Sequence, residues 1–158
     1  TPIKSSAASD VYKRQVFMKY VGEVWRCANL YRTSQYGQLG IGSYQDSYIT
    51  NICRQPGIAQ EQLTKLIYAH KSSVARQLSS LEEKGFIIRT PDPNDKRSLL
   101  VYPTQKALDA LPVIRQVHAQ WNALILEGLT PQEQKDIEKY LKLLSDNAKR
   151  VLEGVRPE

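Results

Sequence analysis

The sequence predicts a mainly α fold carrying one small β-hairpin, and three features predict it. Apolar residues recur at three- and four-residue steps along most of the chain, and Pro and Gly break that periodicity at a few sharp points. One segment, KGFIIRTPDPNDKRSLLVYPT (residues 84–104), sets two short strand-forming runs around a knot of turn residues. With 158 residues, 41% of them hydrophobic, the chain suffices for one core with long helices appended.

Residues 1–12 open with TPIKSSAASD, which has neither a Met nor a periodicity, and they are set aside as a disordered, processed or artificial end. Phe17, Tyr20, Val21, Val24, Trp25, Ala28 and Tyr31 then form one apolar stripe. This predicts a first helix, buried along that stripe and ending near Gly37. A second helix runs through Tyr44, Tyr48, Ile49 and Ile52 and stops before Pro56-Gly57, because proline cannot continue it. Leu63, Leu66 and Ile67 mark a short third helix. Residues 71–84 form the fourth, with Gly85 as its C-terminal stop.

On the fourth helix Val74, Leu78 and Leu81 fall on one side, while Ser73, Arg76, Gln77 and Ser80 gather on the other. A short helix, a brief turn and a helix with one core face and one polar face make the unit that lays its second helix in the DNA major groove. Phe86, Ile87 and Ile88 before TPDPND, and Leu99 to Tyr102 after it, add a β-hairpin directly behind that helix. The combination is a winged helix. Its tip projects Asp95, Lys96 and Arg97.

Behind the wing, Thr104 caps a fifth helix through Ala107, Leu108, Leu111, Ile114, Val117 and Trp121, with Pro112 expected to kink it. Thr130-Pro131-Gln132-Glu133 is a capping box with proline at the first helical position, and it opens a sixth helix. Ile137, Leu141, Leu144, Ala148 and Val151 line that helix. These stripes exceed what a small winged helix can cover, so a second copy of the chain is expected against them. Residues 13–37 and 104–153 are accordingly expected to form a helical dimerisation region, and residues 38–103 the DNA-binding region.

Charge agrees with a polyanionic partner. The net charge is +6, and its excess lies in the first two thirds: residues 1–53 hold 6 Lys and Arg against 3 acids, residues 54–106 hold 9 against 5, and residues 107–158 hold 7 against 8. Cys27 and Cys53 form no CxxC pair, which fits a reducing, cytoplasmic setting, and no apolar run approaches membrane-spanning length. No glycine-rich phosphate loop and no local nucleophile–base motif points to catalysis, and the two histidines, His70 and His118, are far apart. No catalytic residues, cofactor or metal site are expected. Glu23 and Cys27, four apart on one helix face, are at most half of a metal site.

SSVARQLSSLEEKGFIIR (residues 72–89) and DPNDKR (residues 92–97) resemble the recognition helix and wing tip of the MarR family of bacterial transcription regulators, and the likeness extends over residues 16–152. The resemblance implies a homodimer whose terminal helices intertwine and whose two winged lobes straddle a pseudo-palindromic operator in double-stranded DNA, as a repressor that answers a ligand. It places Lys71, Ser72, Ser73 and Arg76 at the major groove, and Asp95, Lys96 and Arg97 at the wing, where the arginine enters the minor groove. Arginine suits both places through bidentate contacts to guanine and through narrow, electronegative minor grooves. Ser72 and Ser73 fit phosphate contacts or helix capping equally. Tyr68 stands where many relatives carry a small residue or glycine, which leaves the turn type open.

For the signal, Arg26, Tyr31, Tyr36, Tyr44 and Tyr48 crowd the first two helices near Trp25. Aromatic walls with one guanidinium suit a small aromatic acid or phenol. Oxidation of Cys27, or a metal, is the alternative signal within the same fold.

Overall fold

The structure, a computed structural model, describes the backbone of residues 4–42 and 44–155 and the side chains of residues 16–42 and 44–154. Residues 1–3, part of the segment set aside above, lie outside the described residues. The described chain contains helix α1 (Lys4–Gln35), a single 3-10 turn at Gly37–Leu39, α2 (Gln45–Arg54), strand β1 (Ile58–Ala59), α3 (Gln60–Ile67), α4 (Lys71–Glu83), β2 (Ile87–Pro91), β3 (Leu99–Pro103), α5 (Gln105–Ile125) and α6 (Pro131–Val155). It divides into two compact units, residues 1–121 and 122–158.

In the first unit the core gathers Ile49 and Ile52 of α2, Leu63 of α3, Val74, Leu78 and Leu81 of α4, Phe86, Ile87, Val101, and Ile114 of α5, all essentially closed to solvent. Each such side chain contributes about 1.5–3 kcal/mol relative to exposure, so Leu78→Ala alone would cost about 2–5 kcal/mol. α4 ends where Gly85 takes φ +77: Gly85 N donates to Glu82 O at 2.9 Å and Phe86 N to Leu81 O at 2.9 Å. That pair of bonds is the Schellman motif expected at Gly85.

The hairpin pairs Ile87 with Pro103 through Pro91 with Leu99, antiparallel, and leaves residues 92–98 as its tip. The two-residue β1 joins the open side of β3, in the order β1-β3-β2. It is too short for any periodicity to reveal in the sequence. Thr104 serves a role other than the expected cap: its hydroxyl lies 2.7 Å from Gly85 O, and its N–H donates to Phe86 O at 2.9 Å. The start of α5 is thereby fastened to the end of α4. α5 runs through Pro112 as one continuous helix.

α1 begins at Lys4, well before the apolar periodicity starts at Phe17. The expected burial of its stripe is not met within one chain. Phe17 is 48% exposed and Trp25 52%, whereas Ala28 and Asn29 near the C-terminal end are buried. In the second unit, Glu133 N donates to Thr130 Oγ1 at 3.3 Å and Thr130 N to Glu133 Oε2 at 2.7 Å, the reciprocal bonds of the expected capping box. The bonds that Thr130 donates to Glu133 Oε2, from its N–H and from its hydroxyl, hold the Glu133 carboxyl below its ordinary pKa. Along α6, Ile137, Leu141, Leu144 and Val151 are all exposed.

Candidate nucleic-acid interface

α3 ends with Tyr68 at φ +56, bonded as a Schellman turn through Tyr68 N to Lys65 O and Ala69 N to Thr64 O. Tyr68 thus adopts the left-handed conformation that glycine takes without strain, at a cost of about 1–2 kcal/mol for a side chain with a Cβ. The turn type left open in the sequence is therefore the glycine type, built with tyrosine. His70 is the N-cap of α4 and makes no side-chain cap bond. The leading N–H groups at Lys71, Ser72 and Ser73 point out at the positive end of the helix, where anions bind well. Among the described residues neither serine hydroxyl is taken up as a cap. Ser72 is exposed and Ser73 half-buried.

The wing tip is shaped by its aspartates. Asp92 Oδ1 accepts from Asn94 N at 2.8 Å and Asp95 Oδ1 from Arg97 N at 3.0 Å, while Ser98 N donates to Asp95 O at 2.9 Å. Asp95 therefore fixes Arg97 through its backbone and leaves the guanidinium free. At the root of the wing, Arg89 Nε donates to Glu82 Oε2 at 3.1 Å and Arg89 Nη2 to Ser79 Oγ at 3.1 Å, tying β2 to α4. The bonds from Arg89 hold the Glu82 carboxyl below its ordinary value.

Lys71, Asp95 and Arg97 line one groove between α3, the start of α4 and the wing tip, together with Glu61 and Thr64. Lys96 is exposed beside them. Arg76, also exposed, lies on a second cleft with Ser73 and Gln77. Among the described residues, Lys71, Arg76, Lys96 and Arg97 have no side-chain hydrogen bond or ion pair; Arg32, Lys84 and Arg89 are each engaged. Four unpaired cations on one helix and one loop form a surface shaped for a polyanion. The polar side of α4 is only partly open, however, because Gln77 and Ser80 are turned to α2.

The aromatic cluster expected as an effector site is not assembled as one pocket. Tyr44 and Tyr48 share the second cleft with Trp25 and Arg76, and the Trp25 and Tyr44 rings lie 6.1 Å apart. Tyr31 packs instead on Trp121 at 5.3 Å. Tyr36 is fully buried, and its hydroxyl donates to Asp46 Oδ2 at 2.9 Å. Arg26 is exposed, with its guanidinium beside Gly22 one turn back along α1. The cation of the cleft is consequently Arg76, because Arg26 stays on its own helix and Tyr36 is drawn inward by a buried carboxylate.

That carboxylate had no signal in the sequence. Asp46, 1% exposed, accepts at Oδ2 from Arg32 Nη1 at 3.1 Å and from Tyr36, and His118 Nε2 lies 2.8 Å away. Oδ1 accepts from Ser47 N at 2.7 Å. The residues converge from α1, the turn after it, α2 and α5, so no local motif could announce them. Of the cysteines, Cys27 is exposed; Cys53 is half-buried, and burial pushes its thiol pKa up. Among the described residues no three His, Cys, Asp or Glu side chains converge to hold a metal.

A helix-turn-helix followed by a β-hairpin wing, with unpaired cations on both parts, defines a winged helix-turn-helix DNA-binding protein. Residues 45–99 match the model of the MarR family. The Bacillus subtilis HTH-type transcriptional regulator YybA is 27% identical over 139 residues, 88% of this chain and 93% of its own length. The crystal structure of the transcriptional regulator SlyA is similar with a TM-score of 0.83 at 28% identity, covering 89% of this chain and 99% of that one. A MarR family regulator of Listeria monocytogenes, crystallised in complex with 26-mer DNA, gives a TM-score of 0.78 at 26% identity over 89% and 97% of the two chains. The chain thus carries a DNA-binding segment of the MarR type at residues 45–99 and is similar along most of its length to transcription regulators of that family, a family that acts by binding DNA and not by catalysis.

Proposed function

We propose that this protein is a homodimeric, ligand-responsive repressor that binds a pseudo-palindromic operator in the cytoplasm, where the DNA is. The observation that carries the reading is the set of unpaired cations at Lys71, Arg76, Lys96 and Arg97. α4 enters the major groove with Lys71, Ser72, Ser73 and Arg76, and the wing brings Asp95, Lys96 and Arg97 to the adjoining minor groove. Residues 38–103 bind the DNA, and residues 13–37 and 104–153 dimerise. The exposed apolar residues of α1 and α6 support the second part, since a second copy would cover them. No helix among the described residues is long and apolar enough to cross a membrane.

The signal is a small aromatic carboxylate or phenol held in the cleft of Trp25, Tyr44, Tyr48 and Arg76. The rings cover its apolar body and the guanidinium pairs its acid group. Oxidation of Cys27 is the second reading, supported by its exposure on α1. The experiment is duplex binding against salt, in which log affinity falls by about 0.9 per phosphate contacted for each decade of salt. Arg97→Ala lowers affinity and flattens that slope, and Arg76→Ala costs about 1–3 kcal/mol on a selected duplex if it reads a base edge. Unchanged affinity in the double variant overturns the reading. Release of DNA by an aromatic acid, or by peroxide only when Cys27 is present, decides between the two signals.

A further inference from the structure

We infer that Gln45 is a positioning residue for sequence reading, setting the roll of α4 through Gln77 and Ser80. This rests on α4 being the helix that reads DNA. Gln45 opens α2 and is 4% exposed. Its Oε1 accepts from Lys84 Nζ at 2.9 Å and from Gly42 N at 3.2 Å. Two donors on one side of the amide fix which side is oxygen, so Nε2 must face α4. There it donates to Gln77 Oε1 at 3.2 Å and to Ser80 Oγ at 3.1 Å. Both hydrogens and both lone pairs are used, and a buried amide so satisfied has a single orientation.

The consequence falls on α4. Its inner face of Val74, Leu78 and Leu81 holds it by apolar contact, which has no direction and tolerates small rotations of a helix about its axis. The Gln45 bonds are directional, and they grip residues 77 and 80 beside Arg76, while Arg89 grips Ser79 and Glu82 on the wing side. A change of α4 roll would move Arg76 and Lys71 relative to base edges. It would hardly alter their distance to the phosphates. Gln45 therefore governs selectivity more than affinity.

The test uses the full chain and a pool of randomised double-stranded DNA. Duplexes retained by the wild-type protein are sequenced, and the affinity ratio between the selected duplex and a scrambled duplex of the same composition is measured for each variant. Gln45→Met, of similar shape without polar atoms, is expected to lower that ratio by about tenfold or more, the scale of one lost base contact, with affinity for the scrambled duplex unchanged. Gln45→Glu is expected to keep the ratio, because the Gln77 amide and Ser80 hydroxyl can both turn to donate while Lys84 still pairs. Ser80→Ala, which removes one of the bonds, is expected to lower the ratio less than Gln45→Met, and it carries the test if Gln45→Met fails to fold by thermal melting. An unchanged ratio in a folded Gln45→Met or in Ser80→Ala overturns the inference, as does equal loss on both duplexes. A wild-type protein that selects no sequence overturns the DNA-reading role of α4 and this inference with it.

Discussion

His118 Nε2 lies 2.8 Å from Asp46 Oδ2, although the two residues are 72 positions apart. The contact joins α5 to the first turn of α2, and the same oxygen also receives Arg32 and Tyr36. One buried carboxylate thus binds the long helix α1, the turn that follows it and the long helix α5 to the winged-helix core. Burying that charge is tolerable only because Arg32 and the surrounding donors satisfy it.

Asp46→Ala should therefore destabilise the protein by about 3–5 kcal/mol, since it leaves the largely buried Arg32 guanidinium and the Tyr36 hydroxyl without an acceptor. Urea unfolding measures this. Arg32→Met combined with Asp46→Leu should recover part of the loss, because the pair is then replaced by apolar groups. A double variant as unstable as the sum of the two single changes would contradict the hub.

Tyr36 should resist ionisation. Burial first, then the charge of Asp46 and its hydrogen bond, raise its pKa above the ordinary tyrosine value, and burial alone raises that of Tyr48. As pH passes about 10, the unfolded chain releases these protons and the folded chain keeps them, so stability falls as pH rises through that range. Ultraviolet titration should then show two of the nine tyrosines ionising only as the protein unfolds. Complete phenolate formation in a still-folded protein would contradict this environment.

Tyr68 stores backbone strain at the helix-turn-helix turn. Tyr68→Gly relieves it and Tyr68→Ala does not, while both lose the same ring. The glycine variant should be more stable than the alanine variant by about 1 kcal/mol, or roughly 2–4 °C in Tm. Equal melting temperatures would mean that the turn opens to an ordinary conformation in solution.

Leu144 is exposed among Ile137, Leu141 and Val151 on α6. If a second copy covers this stripe, Leu144→Glu places a charge in an apolar interface and should weaken self-association by at least about tenfold. Sedimentation equilibrium reads the change, and operator affinity should fall with it because half-sites are bound jointly. Identical sedimentation of the variant and the wild type would remove α6 from the interface.

What the sequence determined by itself was local. Helical periodicity, the Thr130–Glu133 box, the Gly85 stop and the aspartate-rich wing turn all depend on partners within a few residues, and each is present in the fold. The unpaired cations of the candidate interface were legible for the same reason, since an exposed side chain needs no partner from elsewhere in the chain. Tertiary structure decided the rest by bringing distant polar groups into low dielectric. Gln45 and Asp46 look like ordinary polar residues at the start of a helix, yet their partners stand 32 and 72 positions away. Tyr36 likewise left the expected aromatic pocket for a buried carboxylate, and Arg76 took the place foreseen for Arg26. A buried donor or acceptor is costly without a partner, so packing chooses that partner from the whole chain, and no window of sequence contains the choice.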